Sequence, residues 1–517
     1  MKARRLLSLL VVAAVAWVTP LPQAGASGPA FRFYGAGYGH GVGMGAWGVY
    51  GMALRGWQAP GILSHFYPGT TLTSHPDPAF IRVGLVKGVT SIPVDAWRGP
   101  AQLRLNDPTS GQLIGTIPAG ATWTVVDRAG TYWVRRGDGT YVGGHGWGDA
   151  THNLYVRFGA IGSILYLPQR GFHFDRGFME LNIYKPCPSC TSTERIILQL
   201  GTESYVDGVG EVPGTWPAAA LRVFAIAART YVTYKVNAVG QHRPGCNCGI
   251  WWVGEQYFIG YNRNLLPGAE AWLAAVSATH GKMVLWDGAP IVAAYSTSDG
   301  GYTQSNVEEW GGSQIPYLRS VCDPGDYVTP NAYKTWEVDL AQSTVTSRFL
   351  AHFHHPIGPI TSFTVLQRAG NGRILSVRAN GTTGSYSVSG NAFASALGLR
   401  TALVYVDVNR LVTGAIRQRY DWLMCKPGLP TTPVLHPAGG ASQHFVNGSI
   451  YADLGRGHSF YLYGLVDAKY RSLAGAGGSL GWPLTGVVWK GNLRTTRFVH
   501  GQISCNHVTG SCTVTHS

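Results

Sequence analysis

Charged residues are scarce in this 517-residue chain: Asp, Glu, Lys and Arg together make up 13% of it. The basic residues are scattered, and no Lys/Arg block marks a nucleic-acid arm, which excludes nucleic acid as the expected partner. Beyond the N-terminus no apolar run is long enough to span a membrane. Gly and aromatic residues are plentiful instead, with 70 Gly and 17 Trp. Such a composition suits strands, turns and stacking surfaces, and it fits sugar ligands better than nucleic acid.

The N-terminus has the pattern of an export signal. Lys2, Arg4 and Arg5 precede an apolar stretch from Leu6 to about Val18, and Ala24-Gly25-Ala26 offers a small-residue cleavage site. The alternative is an uncleaved anchor helix, but the apolar run is shorter than the roughly 20 residues a span needs. Residues 1–26 are therefore expected to be removed, with no membrane span in the mature, extracellular chain. Taking the leader's three positive charges from the formal +14 leaves +11, a balance that favours anionic polymers as partners. The eight Cys are even in number, as expected of disulfides in an exported chain. Cys505–Cys512 is the simplest pair, Cys187–Cys190 closes a small loop, and Cys322–Cys425 is a third pairing.

Residues 78–200 alternate strand-like segments with Gly, Asn, Asp and Pro, which predicts antiparallel β structure. Leu221, Ala225, Ala228 and Val232 recur at helical spacing after Pro217, with Thr215 as the expected N-cap. A second helix is expected over 268–281 and further strands over 283–295 and 361–407. The Pro-rich stretch 426–440 lies within an expected linker, 408–440. Beyond it, Phe445-Val446-Asn447-Gly448-Ser449-Ile450 repeats as Phe498-Val499-His500-Gly501-Gln502-Ile503, an offset of 53 residues. Each copy reads as a hairpin.

Four segments carry a family resemblance. The first is Tyr205-Val206-Asp207-Gly208-Val209-Gly210-Glu211-Val212-Pro213, running into the Ala-rich helix and Arg229-Thr230-Tyr231. The second is Gly37-Tyr38-Gly39-His40-Gly41-Val42-Gly43-Met44, followed by Tyr67-Pro68-Gly69-Thr70. The third is Tyr295-Ser296-Thr297-Ser298-Asp299-Gly300-Gly301 with Trp310-Gly311 and Pro316-Tyr317-Leu318. The fourth is Val388-Ser389-Gly390 with Leu397-Gly398-Leu399. Together they resemble the SpoIID (stage II sporulation protein D) family of peptidoglycan lytic transglycosylases, across about 31–407. The family's usual order places the Gly-His-Gly-Val-Gly-Met segment last. Here it comes first, which reads as a circular permutation of residues 27–75, or alternatively as a separate N-terminal module. Phe224 stands where the family helix has Gln, Val212 replaces Met, and Gly45-Ala46 replace Ser-Gln.

The resemblance implies an α+β, β-rich catalytic domain over 27–407, divided into 27–75, 78–200 and 201–407, with one Ala-rich helix beside an active-site groove. It also implies Glu211 as a single acid/base, cleaving the bond between N-acetylmuramic acid and N-acetylglucosamine to leave 1,6-anhydro ends. Cleavage requires protonating the leaving oxygen, and a Glu with a raised pKa can do so at neutral pH. A nearby helix N-terminus would favour the anion and oppose this. The structural alternative is that Glu211 caps the helix or pairs with Arg229.

Substrate contacts are expected from His40, Tyr38, Trp47, Arg229, Tyr295, Ser296 and Ser298. The bland readings are a turn for His40 and core packing for the aromatics. Glu255 is a possible second carboxylate or part of a solvated face. His242, Cys246 and Cys248 have a C-x-C plus His spacing that can hold zinc, and disulfide bonding is the competing fate of these Cys. No other cofactor is expected.

Leu480-Gly481-Trp482-Pro483 and the two hairpins resemble the LGFP repeat of actinobacterial wall-associated proteins. They imply a small wall-binding module over 441–517. The partners implied are peptidoglycan glycan strands, anionic wall polymers such as teichoic acids, and a cell-wall amidase. The amidase partner belongs to a second reading, a non-catalytic amidase enhancer. A third is a metal-dependent amidase, which needs a metal site.

Overall fold

The computed structural model describes residues 30–517, so the leader expected over 1–26 lies outside the described residues. Among the described residues no helix is long and apolar enough to cross a membrane.

The predicted strands of 78–200 form two sheets that carry the β-rich part of the fold. The larger runs, in spatial order, through Ile250–Trp251, Ile81–Val89, Thr193–Leu200, Phe178–Tyr184, Leu154–Phe158, Ala101–Leu105 and Gln112–Ile117. The second joins Phe172–Phe174, Ile164–Leu167, Ser91–Arg98, Thr122–Arg128 and Thr131–Arg135. Alternating apolar side chains such as Val83, Leu85, Leu103, Val125 and Leu181 fill the space inside them.

One buried side chain in this region is acidic. Glu194 is fully buried on strand Thr193–Leu200, and neither carboxylate oxygen has a partner. Lost hydration, helped by the Asp127 charge, pushes its pKa up to about 9. The folded state therefore keeps a proton that the unfolded chain releases near 4.5, so stability is fully present below that value and is lost as pH rises toward 9. Glu194→Gln should flatten this dependence, which otherwise runs up to about 1.4 kcal/mol per pH unit. Urea midpoints compared at low and mildly alkaline pH provide the check, and equal slopes in the two proteins would refute it.

The long helix Ala218–Val239 passes through the middle of the main core, burying Leu221, Ala225, Ala228 and Val232 as their spacing predicts. It begins at Ala218 behind Pro217, and no side chain caps it, so Thr215 lies upstream of the helix instead of capping it. Gly240 ends it with φ +73°. The second predicted helix spans Ala269–Ala278 and packs on the first, along with helices Ala46–Leu54 and Ala59–Phe66.

Strand Ala30–Gly35 lies between Trp336–Ala341 and Val404–Val406, antiparallel to both. It is the centre of a second core with Phe33, Phe349, Val377 and Phe393. The two repeated hairpins form as strands Gly440–Phe445 with Gly448–Asp453, and Leu493–Phe498 with Gly501–Asn506.

The expected linker 408–440 is not bare linker. It contains helix Gly414–Trp422, whose Ile416 and Tyr420 are buried against Phe445 and Ile450. These two apolar residues sit one helical turn apart, a pattern outweighed in the sequence by the following prolines. The same order of helix, Pro and hairpin recurs from Gly464–Ser472 through Pro483.

All eight Cys are paired: Cys187–Cys190, Cys246–Cys248, Cys322–Cys425 and Cys505–Cys512. Cys322–Cys425 spans 103 residues and ties the start of the C-terminal part to the main body. Constraining a loop of that length stabilises by about 4–5 kcal/mol in the chain-entropy account.

Candidate active site around Glu211

Glu211 lies in the turn between the short helix Thr202–Asp207 and the long helix. Six residues separate it from Ala218, so it does not cap the long helix. Its partner comes instead from the segment after Glu255: the Tyr257 N–H donates to Glu211 Oε1 at 2.6 Å, while Gly210 N–H donates to the Tyr257 carbonyl. Tyr295 adds a hydrogen bond from its hydroxyl. The direction of that bond follows from the groups behind it. Tyr205 OH donates to Gln256 Oε1 at 2.7 Å, and Gln256 Nε2 donates to Tyr295 Oη at 2.9 Å. With its oxygen engaged as an acceptor, Tyr295 turns its proton to Glu211.

No cation pairs with Glu211 among the described residues. Burial raises its pKa, and the Tyr257 and Tyr295 hydrogen bonds only partly oppose this. Arg229, the partner considered from the sequence, is fully buried and pairs with Glu203, with Nε to Oε1 at 2.6 Å and Nη2 to Oε2 at 2.7 Å. It does not reach a surface where substrate could lie, which corrects the expected substrate contact.

The aromatic side chains near the acid form a chain of contacts. Trp47 packs against Trp216 (ring centroids 5.2 Å apart) and Tyr50 (5.4 Å). Trp216 touches Phe224, and Phe224 meets Tyr295 edge-on at 5.4 Å. Phe224 thus puts an apolar ring beside Tyr295. Trp47 and Tyr295 remain partly exposed. Tyr50 escaped the sequence reading, although it lies one helical turn after Trp47.

The second and third motif segments converge by backbone pairing. Tyr295 and Ser296 pair in parallel with Met44 and Gly45, and Tyr38 bridges Ser298. The alternating glycines permit this approach. Gly43 has φ +81°, and a Cβ there would lie 1.8 Å from the Ala294 carbonyl oxygen.

His40 is held within this junction. Its Nδ1 accepts from the Val42 N–H at 2.9 Å, and it hydrogen-bonds the Tyr295 backbone. Burial, with Arg373 nearby, pushes its pKa down to about 4. A neutral imidazole spent on the two backbones positions Tyr295, which corrects the expected sugar contact to the turn reading. Tyr38 is 45% exposed and stacks on Tyr333 at 4.9 Å.

Ser296 is buried, with an unpartnered hydroxyl. Ser298 is also buried and donates to Asp326 Oδ2 at 2.8 Å, so it belongs to an internal network with Asp299, Asp323 and Asp326 and not to an open surface. That network escaped the sequence reading; its only signal is Asp323-Pro324-Gly325-Asp326 after the Tyr-Leu motif.

Glu255 is no second acid. Burial works against its charge, but Arg243 at 2.5 Å, Lys235 at 2.8 Å and the Trp251 N–H hold its pKa at about 2. The zinc set fails on donor chemistry. Cys246 and Cys248 are joined in a disulfide and offer no thiolate, while His242 Nδ1 is engaged with Asn247 Oδ1 at 2.8 Å. Glu211 lines none of the three described cavities; the acid sits on a partly open shelf.

Residues 191–286 match the SpoIID family, described as stage II sporulation protein. The matched stretch holds Glu203, Glu211, the long helix, Gln256 and Tyr257. The chain is also similar to three curated proteins. It is 35% identical over 116 residues to an amidase enhancer of Bacillus subtilis (strain 168), covering 22% of this chain and 14% of that one. It is 26% identical over 189 residues to stage II sporulation protein D of Bacillus amyloliquefaciens, covering 34% and 54%. It is 29% identical over 157 residues to stage II sporulation protein D of Bacillus subtilis (strain 168), covering 28% and 44%. The matches thus span between 14% and 54% of the length of these relatives.

Proposed function

We propose that the chain is an exported peptidoglycan lytic transglycosylase with Glu211 as its single acid/base. The observation that carries this reading is a mostly buried carboxyl with a raised pKa, no cationic partner and a fixed pair of hydrogen bonds. The protonated carboxyl gives its proton to the glycosidic oxygen as the bond from muramic acid C1 to that oxygen breaks. The carboxylate then takes the proton from the muramic acid C6 hydroxyl as O6 bonds to C1. A 1,6-anhydro end forms, Glu211 is regenerated, and no water enters. The aromatic cluster of Trp47, Tyr50 and Trp216 supplies a stacking surface for the sugars.

Four paired disulfides support export to an oxidising compartment. The antiparallel placement of Ala30–Gly35 beside Val404–Val406 supports a permuted catalytic domain over 27–407. The recurring helix, Pro and hairpin units support LGFP-like wall attachment over 441–517, now with a helical start at Gly414.

The similarity to an amidase enhancer favours one second reading, a glycan binder that stimulates a partner hydrolase. Mass spectrometry of isolated glycan strands digested with the purified protein separates the two. Anhydro-disaccharide products are expected, and their absence, with stimulation of an added amidase, would replace the first reading by the second.

Tyr295→Phe tests the electrostatics. It deletes a donor that favours the Glu211 anion, so the carboxyl should hold its proton to higher pH. The alkaline limb of the cleavage profile should move upward, and a downward shift would show that Tyr295 is not donating.

A further inference from the structure

A second site lies away from Glu211. Helix Gly414–Trp422 and the segment around Tyr327 and Lys334 enclose a cavity of about 570 Å³, within the size range of small-ligand sites. Three cations line it, Arg55, Lys334 and Arg417, against one carboxylate, Asp421. Asp421 is already engaged, with Arg417 at 2.7 Å and Arg55 at 3.7 Å. The charge of Lys334 is left for a ligand.

Two further features point the same way. Arg417 is only 6% exposed, lines the cavity, and has an Nε without a hydrogen-bond partner. The start of the helix at Thr413 and Gly414, which has no side-chain cap, lines the same cavity. Trp422 stands at the rim, 70% exposed. Arg419 covers one face of its ring at 4.3 Å.

An exposed flat ring beside cations and the amide of Gln418 matches a pyranose that carries a negative substituent. The C–H face of the sugar lies on the ring while the anion meets Lys334 and the helix start. We infer that this cavity is a binding site for a carboxylate-bearing glycan chain, separate from the Glu211 shelf and formed where the C-terminal part joins the main body.

Isothermal titration calorimetry on the full chain tests this with tetragalacturonate, a carboxylated pyranose oligomer. It lacks muramic acid, so the result is independent of whether Glu211 cleaves anything. Binding should weaken as salt rises. Trp422→Ala should weaken it roughly tenfold by loss of stacking. Lys334→Ala should weaken it and reduce the salt dependence. Both side chains lie at the surface, so the variants should keep the native circular dichroism. Absence of binding, equal binding of neutral chitotetraose, or affinities unchanged in both variants would overturn the inference. Tighter binding of poly(glycerol phosphate), insensitive to Trp422, would overturn it in favour of a plain anion patch.

Discussion

Glu211→Gln should lower the release of anhydro products from purified glycan by a factor of about 10²–10⁴, the range for removing a positioned acid/base. The substitution leaves the surroundings intact. The amide oxygen still accepts from the Tyr257 N–H, and the side chain keeps its size and place beside Tyr295. What is lost is the exchangeable proton. Stability should hold or rise, because a carboxyl whose pKa burial has raised destabilises the fold wherever it must ionise or stay protonated against the solution. A loss of product release with unchanged urea midpoint therefore assigns the effect to chemistry. If the variant released products as fast as the parent protein, Glu211 would not be the acid. Because the Glu211 residue remains partly exposed, a bound glycan completes the water exclusion that burial begins. Short oligosaccharides should accordingly be cleaved more slowly than long strands.

The parts of the site legible in the sequence are those written in local pattern. The Ala-rich helix, the strands of 78–200 and the glycine alternation before Met44 all carry periodic or steric signals. The pairing of Cys322 with Cys425 had no signal beyond the even number of cysteines, and the motif segments were tied together only by the family resemblance. What stayed hidden depends on which side chain faces which. Arg229 and Glu211 lie 18 residues apart around a helix start and looked like partners, yet the buried guanidinium turns to Glu203 on the short helix before the turn. His40 sits between glycines and looked available for sugar, but its two backbone hydrogen bonds leave it no free nitrogen. Glu255 and Gln256 are adjacent, and the chain direction sends one to Arg243 and the other to Tyr295. Both lie in an irregular stretch at a turn, where no strand or helix period states which one meets the acid.

Glu203→Ala should be the most damaging change to stability, at about 3–5 kcal/mol. Arg229 is fully buried in the long helix, and its two hydrogen bonds to Glu203 are joined by contacts to the carbonyls of Ala225, Val276 and Lys282. Those carbonyls fix the guanidinium but carry no charge to balance it. Removing the carboxylate leaves the buried cation without its hydrogen-bonded partner, with only the neighbouring Asp77 carboxyl to offset its charge. The Glu203 side is 25% exposed, so replacing both partners, as Glu203→Gln with Arg229→Met, should cost far less than the single change. The pair also fastens the helix Thr202–Asp207, from which the Glu211 turn departs, to the long helix that follows it. Urea unfolding of the three proteins measures the difference. A single-variant loss below about 1 kcal/mol would place the pair among ordinary surface salt bridges and remove it as the anchor of the acid.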